Sequence, residues 1–326
     1  MKTKYSWLKL PIWILEIFTE AKSFEKNPVI GSRFLNLLGL HVFRLLCAHL
    51  LTAWRRFLLG FSVPRHYRKA LKQNGYIQID DVLDKTLFDE LCREAGEPWP
   101  ETRYFVQGDT TTEFLFLKEH YRQKMSACSR LFEQTPINKL MMYVAATGLM
   151  PWMDFLNIKN ISGTKDGDPQ KIFHSDTFHP TMKAWLFLED VTPEKGPFEY
   201  ISKSNQLTWG RIKWEYRNSI RSKTLDQDYA RRGSLRVSED ETESMGYGAV
   251  KSFSVSKNTL VIADTFGFHR RGEASENSHR LSVAYSLRTN PFLLFPIPNI
   301  GAINRFIEGL VDKHYQSTTL IKKNSD

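Results

Sequence analysis

Cysteine is scarce in this chain of 326 residues. Its 3 Cys (Cys47, Cys92, Cys128) are odd in number and widely spaced, which excludes a disulfide framework and a cysteine-ligated zinc site. No internal repeat or low-complexity tract is present, and 41% hydrophobic with 25% charged residues describes an ordinary globular chain. Acidic residues are nearly missing from the first quarter. Residues 1–76 hold 13 Lys and Arg against 3 Asp and Glu, a net of +10; the whole chain carries +9, so the remainder is close to neutral at −1. The basic excess therefore belongs to the N-terminal quarter, and such a surface attracts polyanions. A long charge-free apolar run is also missing. Arg44 and the Arg55-Arg56 pair interrupt every window that approaches the roughly 20 residues a membrane span needs.

The chain does have a basic start, followed by Tyr5, Trp7 and the apolar stretch Leu8–Phe18. Pro11 and Glu16 interrupt that stretch and no small-residue cleavage site follows, so it is expected to be retained. Residues 33–61 are expected to form one long amphipathic helix. Arg33, Arg44 and Arg55 recur every 11 residues, or about three turns, and form one stripe opposite Leu, Phe and Val. The expected role is an interfacial helix on an anionic membrane, its arginines on the polar side; the alternative is a helix packed on the main domain. Nucleic acid is not the expected partner, because the apolar face carries no interleaved polar base-readers.

After Pro64 the pattern changes. Asn74-Gly75 marks a turn, Tyr76–Asp80 alternates as a strand, and Asp84 is placed to cap a helix over Lys85–Ala95. Arg130–Thr147 reads as a helix that Gly148 would end. Short apolar runs then recur at 152–158, 171–173, 182–188, 197–201, 250–255, 259–263 and 281–287, separated by loops such as 162–169. The expected fold is mainly β with flanking helices (α+β), its core a sandwich or jelly roll. The boundaries expected are a basic helical extension over 1–64, a β domain over 65–292 with residues 205–248 as a lid or insertion, and a C-terminal helix and tail over 293–326.

The chemistry centres on His174-Ser175-Asp176. In extended backbone, residues i and i+2 share a face, so an imidazole and a carboxylate converge. With a second, distant His they form the 2-His-1-carboxylate facial triad of non-haem Fe(II) oxygenases, which leaves positions open for co-substrate and O2. His269, after the apolar strand 259–263 and a short turn, is the candidate. Eleven residues on, Arg280 opens an alternating strand; its guanidinium can pair with a carboxylate, as the far carboxylate of 2-oxoglutarate requires. Ser282 shares that face and can add a hydroxyl.

These segments resemble the phytanoyl-CoA dioxygenase family from about residue 66 to 290. Asn74-Gly-Tyr-Ile-Gln-Ile-Asp-Asp-Val-Leu83 matches the family's usual opening and Phe173-His-Ser-Asp-Thr177 its first metal motif. Ala184-Trp185 and Lys195-Gly-Pro-Phe-Glu-Tyr-Ile-Ser202 match the strands that follow. The resemblance implies a double-stranded β-helix, Fe(II) at His174, Asp176 and His269, 2-oxoglutarate at Arg280, and Trp185 against the co-substrate. It also implies hydroxylation, because related halogenases lack the carboxylate that Asp176 supplies. The sequence departs from the pattern at Arg270-Arg271-Gly272, where the family often has Gly-Ser, and at Ser204-Asn205, where Ser-His is frequent. Arg270, Arg271 and His179 are candidate substrate contacts. The expected substrate is a small or lipid-like organic molecule, and the expected location the cytoplasm or its membrane face. Two alternatives stand beside this: a non-catalytic jelly-roll binding protein anchored by its N-terminal helix, and a hydroxylase of a soluble anionic metabolite drawn in by Arg270 and Arg271.

Overall fold

The computed structural model describes residues 6–161 and 167–322. The start of the basic segment through Tyr5, the side chain of Trp7 and residues 162–166 of the polar loop lie outside this description.

The chain opens with a short helix α1 (Leu10–Leu15), then α2 (Arg33–Leu37) and α3 (Leu40–Leu59). The single helix expected over 33–61 is therefore two. Gly39 breaks it with φ +94°, a left-handed conformation that glycine adopts without the usual steric penalty. The next helix, α4 (Arg65–Asn74), ends on Gly75 at φ +89° and leads into strand β1 (Tyr76–Ile79). Asp84 caps α5 (Lys85–Gly96) by accepting from the Leu87 amide at 3.0 Å, as its position predicts. A hairpin of β2 (Thr102–Gln107) and β3 (Thr110–Phe116) follows, which the sequence pattern did not reveal. The helix expected over 130–147 is divided into α6 (Ser126–Phe132) and α7 (Thr135–Ala145); Pro136 sits in the first turn of α7 and Ala146 ends it in the left-handed region.

The remaining strands are β4 (Trp152–Asn160), β5 (Met182–Phe187), β6 (Phe198–Ile201), β7 (Val250–Ser252), β8 (Leu260–Asp264), β9 (His269–Arg271), β10 (His279–Leu287) and β11 (Leu320–Lys322). They form an antiparallel eight-stranded sheet, β1-β8-β5-β10-β4-β3-β2-β11, and a three-stranded sheet, β7-β6-β9. This is a double-stranded β-helix core with flanking helices, the expected class. The run 171–173 is not a strand; residues 169–171 form a 3₁₀ turn and His174 enters only isolated bridges.

Alternation divides the two faces of the large sheet. Val283, Tyr285 and Leu287 of β10, with Ala184 and Leu186 of β5, pack into the main core against α5, α6 and α7. The opposite parity, Arg280, Ala284 and Ser286 with Trp185 and Asp154, faces the interior of the β-helix. Register makes this a grid: Ala284 lies opposite both Trp185 and Asp154, and Arg280 lies opposite Ile158.

The stretch 205–248, expected as a lid, carries α8 (Trp209–Ile220) and packs it against α2 and α3. Its far end, Ser234–Val237, runs beside the metal-motif segment: the Ser175 amide donates to Leu235 O and the Val237 amide to Phe173 O. The last helix, α9 (Gly301–Thr318), closes one end of the large sheet.

The arginines of α3, expected on its polar, solvated side, are not there. Arg44 and Arg55 point inward and are buried. Arg44 donates to the carbonyls of Ile17 (2.8 Å), Thr19 (3.1 Å) and Ala21 (2.6 Å); Arg55 donates to those of Ala146 (2.9 Å), Pro291 (3.0 Å) and Leu293. Phe43, Leu46, Leu50, Trp54 and Phe57 are exposed on the other side, while Leu45 and Ala48 are buried with the arginines. Irregular chain around 17–21 and 291–293 has carbonyls without sheet or helix partners, and these arginines satisfy them.

Candidate active site

His174 and His269 come from segments joined by backbone. Each amide donates to the other's carbonyl at 3.0 Å. The Asp176 amide donates to Thr265 O at 3.0 Å, fixing the third side chain to the turn before β9. Both histidines place Nδ1 2.8 Å from a carbonyl, Ile172 O for His174 and Gly267 O for His269. Those carbonyls can only accept, so Nδ1 carries the proton and Nε2 is left as the lone-pair donor. The two Nε2 atoms lie 3.9 Å (His174) and 3.7 Å (His269) from Asp176 Oδ1. One ligand atom from each residue falls within 4.8 Å of the others.

Protonation favours a cation at this point. Burial, helped by His269 and Arg236, pushes the His174 imidazole well below its usual pKa. For Asp176, burial acts upward, but Lys183, His269 and His174 together outweigh it and hold the carboxyl well below the usual carboxylate range. The result is a neutral imidazole beside an ionised carboxylate, the forms that ligate metal.

His174 and His269 line a cavity of about 430 Å3. Trp185 forms part of its wall and packs on Phe198 at 4.5 Å between ring centroids. Arg280 lines it as well: buried, donating to Gly196 O, and without an ion pair among the described residues. Burial lowers the Arg280 guanidinium to about 9. Ser282 is buried on the same strand and takes no part in the cavity wall. Arg270 and Arg271 line the cavity but are already paired. Arg271 meets the buried Asp168 at 2.5 Å; Arg270 meets Glu199 at 2.6 Å and Glu239 at 3.3 Å. His179 is brought elsewhere. It is buried beside Phe178, with Nδ1 3.1 Å from Pro180 O, and does not line the cavity.

The sequence reading missed three groups. Lys183 Nζ lies 2.8 Å from Asp176 Oδ2; its position two residues before Trp185, on the same strand face, was the available signal. Lys22 donates to the Asp176 carbonyl from 154 residues away, and nothing in its neighbourhood announces this. Asp154 lines the cavity with Oδ1 unpartnered, while Tyr315 of α9 donates to Oδ2 at 3.4 Å.

The model for the family described as phytanoyl-CoA dioxygenase (PhyH) matches residues 71–238, just over half of the chain. The chain belongs to this family. Fe(II) and 2-oxoglutarate are the cofactor and co-substrate of these enzymes. Several solved structures are similar. SnoN in complex with Fe3+, alpha ketoglutarate and nogalamycin RO shares 17% identity at a TM-score of 0.45, over 68% of this chain and 81% of that one. HygX from Streptomyces hygroscopicus, with nickel and 2-oxoglutarate bound, shares 15% at 0.44, over 69% and 86%. EctD from S. alaskensis, with bound Fe, shares 12% at 0.44, over 69% and 76%. No curated protein matches the chain.

The residues of this PhyH-family chain fit both groups. Two imidazoles with oriented Nε2 atoms and an ionised carboxylate suit a borderline divalent metal. A buried guanidinium with no ion pair among the described residues suits a dicarboxylate, because burial makes an unpaired charge costly.

Proposed function

We propose that this chain is an Fe(II)/2-oxoglutarate-dependent dioxygenase that hydroxylates a C–H bond of an organic substrate, lipid-like or presented at a membrane. The observation that carries the reading is one cavity lined by His174, His269 and Arg280, with Asp176 Oδ1 3.9 Å and 3.7 Å from the two Nε2 atoms. In it His174, Asp176 and His269 hold the metal, Arg280 binds the far carboxylate of 2-oxoglutarate, and Trp185 walls the pocket. When bound, the iron and co-substrate supply the oxidising chemistry, turning 2-oxoglutarate and O2 into succinate and CO2 as oxygen enters the substrate.

The protein's part is placement. The reciprocal bonds between His174 and His269 hold the ligands apart at fixed spacing. Lys183, 2.8 Å from Oδ2, favours the ionised form of Asp176. Asp176 also occupies the position a halide would need, which supports hydroxylation. The pairing of Arg270 and Arg271 with acidic residues weighs against a soluble anionic substrate captured by those two side chains. Residues 65–292 would be the catalytic unit, 1–64 its membrane-facing extension and 293–326 its closing segment. Three free cysteines accord with the cytoplasmic face.

Anaerobic titration with Fe(II) and 2-oxoglutarate, followed by visible absorption, tests the site. Wild type should develop a weak metal-to-ligand charge-transfer band, Asp176→Ala should lose or alter it, and Arg280→Ala should weaken it. No band at saturating iron and co-substrate would sink the reading and promote a binding protein that does not turn over.

A further inference from the structure

The outer face of α3 exposes Phe43, Leu46, Leu50, Trp54 and Phe57, a spacing of three and four residues, and Phe61 of the 3₁₀ turn that follows extends it. Their exposure runs from 41% at Trp54 to 82% at Phe61. These six side chains alone present on the order of 600 Å2 of apolar surface, as large as the largest patch of a typical monomer. Arg44 and Arg55 hold the 17–21 and 291–293 segments against the inward side of α3. Those segments are flanked by further exposed apolar side chains, Leu15, Phe18, Leu294 and Phe295, and Phe18 and Phe292 meet edge to face at 6.0 Å.

Charge supplies the second observation. At the C-terminal end of this face, a groove of about 770 Å3 is lined by Phe57 and Phe61 together with Arg65, Arg68, Lys69 and Lys72. All four cations are exposed, and none forms an ion pair among the described residues. Arg33 is exposed at the other end. A second copy docking through this face would bring two +10 segments together with few acids to offset them. An anionic lipid surface offers acyl chains to the apolar face and phosphates to the cations. No helix among the described residues is long and apolar enough to cross a membrane, so the contact is one of lying in the interface.

We propose that this face docks the protein on an anionic lipid surface, the side chains of α3 entering the acyl boundary and Arg65, Arg68, Lys69 and Lys72 taking headgroup phosphates. The surface stands on its own exposure and charge; it rests on the proposed hydroxylase reading only in assigning the substrate to the membrane.

Full-length protein is sedimented with vesicles of phosphatidylcholine alone and of phosphatidylcholine with phosphatidylglycerol. Binding is expected to the mixed vesicles and to fall with added salt. A Leu50→Glu/Phe57→Glu variant and an Arg65→Gln/Arg68→Gln/Lys69→Gln variant should each bind at least about tenfold more weakly. Both should keep the charge-transfer band, since neither touches the cavity. No binding to mixed vesicles, or equal binding by the variants, overturns the proposal. So does a wild-type dimer, detected by light scattering, that Leu50→Glu/Phe57→Glu converts to monomer while vesicles fail to compete. Loss of the band with docking intact would count against the hydroxylase reading alone.

Discussion

His174 and His269, 95 positions apart, exchange both backbone hydrogen bonds at 3.0 Å and bring their ring centroids to 4.5 Å. The spacing of the two proposed nitrogen ligands is thus set by a backbone bridge rather than by loop conformation. Ser175 and Asp176 are held on either side by Leu235 and Thr265. A site framed this way is organised before metal arrives, which lowers the ordering cost of binding.

Arg280 separates charge from shape. Arg280→Lys keeps a cation but loses the planar fork. The expected result is a 2-oxoglutarate affinity about tenfold weaker or worse for Lys and weaker again for Ala, with Fe(II) affinity unchanged. Titrating the charge-transfer band with 2-oxoglutarate at fixed iron measures it. Equal affinity in wild type and Arg280→Ala would remove Arg280 from the co-substrate site.

Arg270 and Arg271 are adjacent but should differ sharply. Arg271→Ala leaves Asp168 buried without its partner and should destabilise by about 3–5 kcal/mol. The Arg270 pair with Glu199 is partly exposed, and Arg270→Ala should cost about 1 kcal/mol or less. Denaturant unfolding of both variants checks the contrast; similar losses would show that burial of Asp168 does not govern the pair.

Burial raises the Asp154 carboxyl to about 8. Between the ordinary carboxylate value of about 4 and that point, the folded protein holds a proton that the unfolded chain has released. This group's contribution to stability therefore falls as pH rises through the window. Asp154→Asn has no such proton to lose. Its melting temperature should gain on wild type by a few degrees between pH 5.5 and pH 8.5. A gap that stays constant or narrows would mean that Asp154 is ionised in the folded protein.

Arg44→Met removes the donor that holds three carbonyls of the 17–21 segment. Each bond to the charged group is worth roughly 1.5–3 kcal/mol in favourable cases, so a loss of several kcal/mol is expected. Limited proteolysis should cut residues 17–22 faster in the variant. Because Lys22 follows in that segment and donates to the Asp176 carbonyl, iron affinity should fall with it. Unchanged cleavage would show that α1 and its following loop are anchored elsewhere.

Much of the site was legible because its residues sit in local patterns. His174-Ser175-Asp176, the distal His269 and Arg280 each occupy a place that chain geometry makes meaningful, and the family's phrases run through the same segments. Period-two alternation placed Arg280 and Ser282 on one face before any sheet was known, and the family's Ala-Trp pointed to Trp185. The β2–β3 hairpin was not legible, because Thr-rich strands on a half-polar face do not alternate clearly. Ser282 shares the parity of Arg280 yet lies outside the cavity wall, since parity assigns a face and not a place along the groove.

The sequence by itself singled out His174, Asp176 and His269 as a candidate ligand set and carries the 11-residue recurrence of Arg33, Arg44 and Arg55. Only the tertiary structure decided which way that stripe faces. A periodic pattern defines two sides of a helix but not which one is covered. Here the unpaired carbonyls at 17–21, 146 and 291–293 converge on Arg44 and Arg55 and turn them inward, leaving the Phe and Leu face outside. The same holds for Lys22 at Asp176: their meeting depends on long-range packing, which no local pattern encodes.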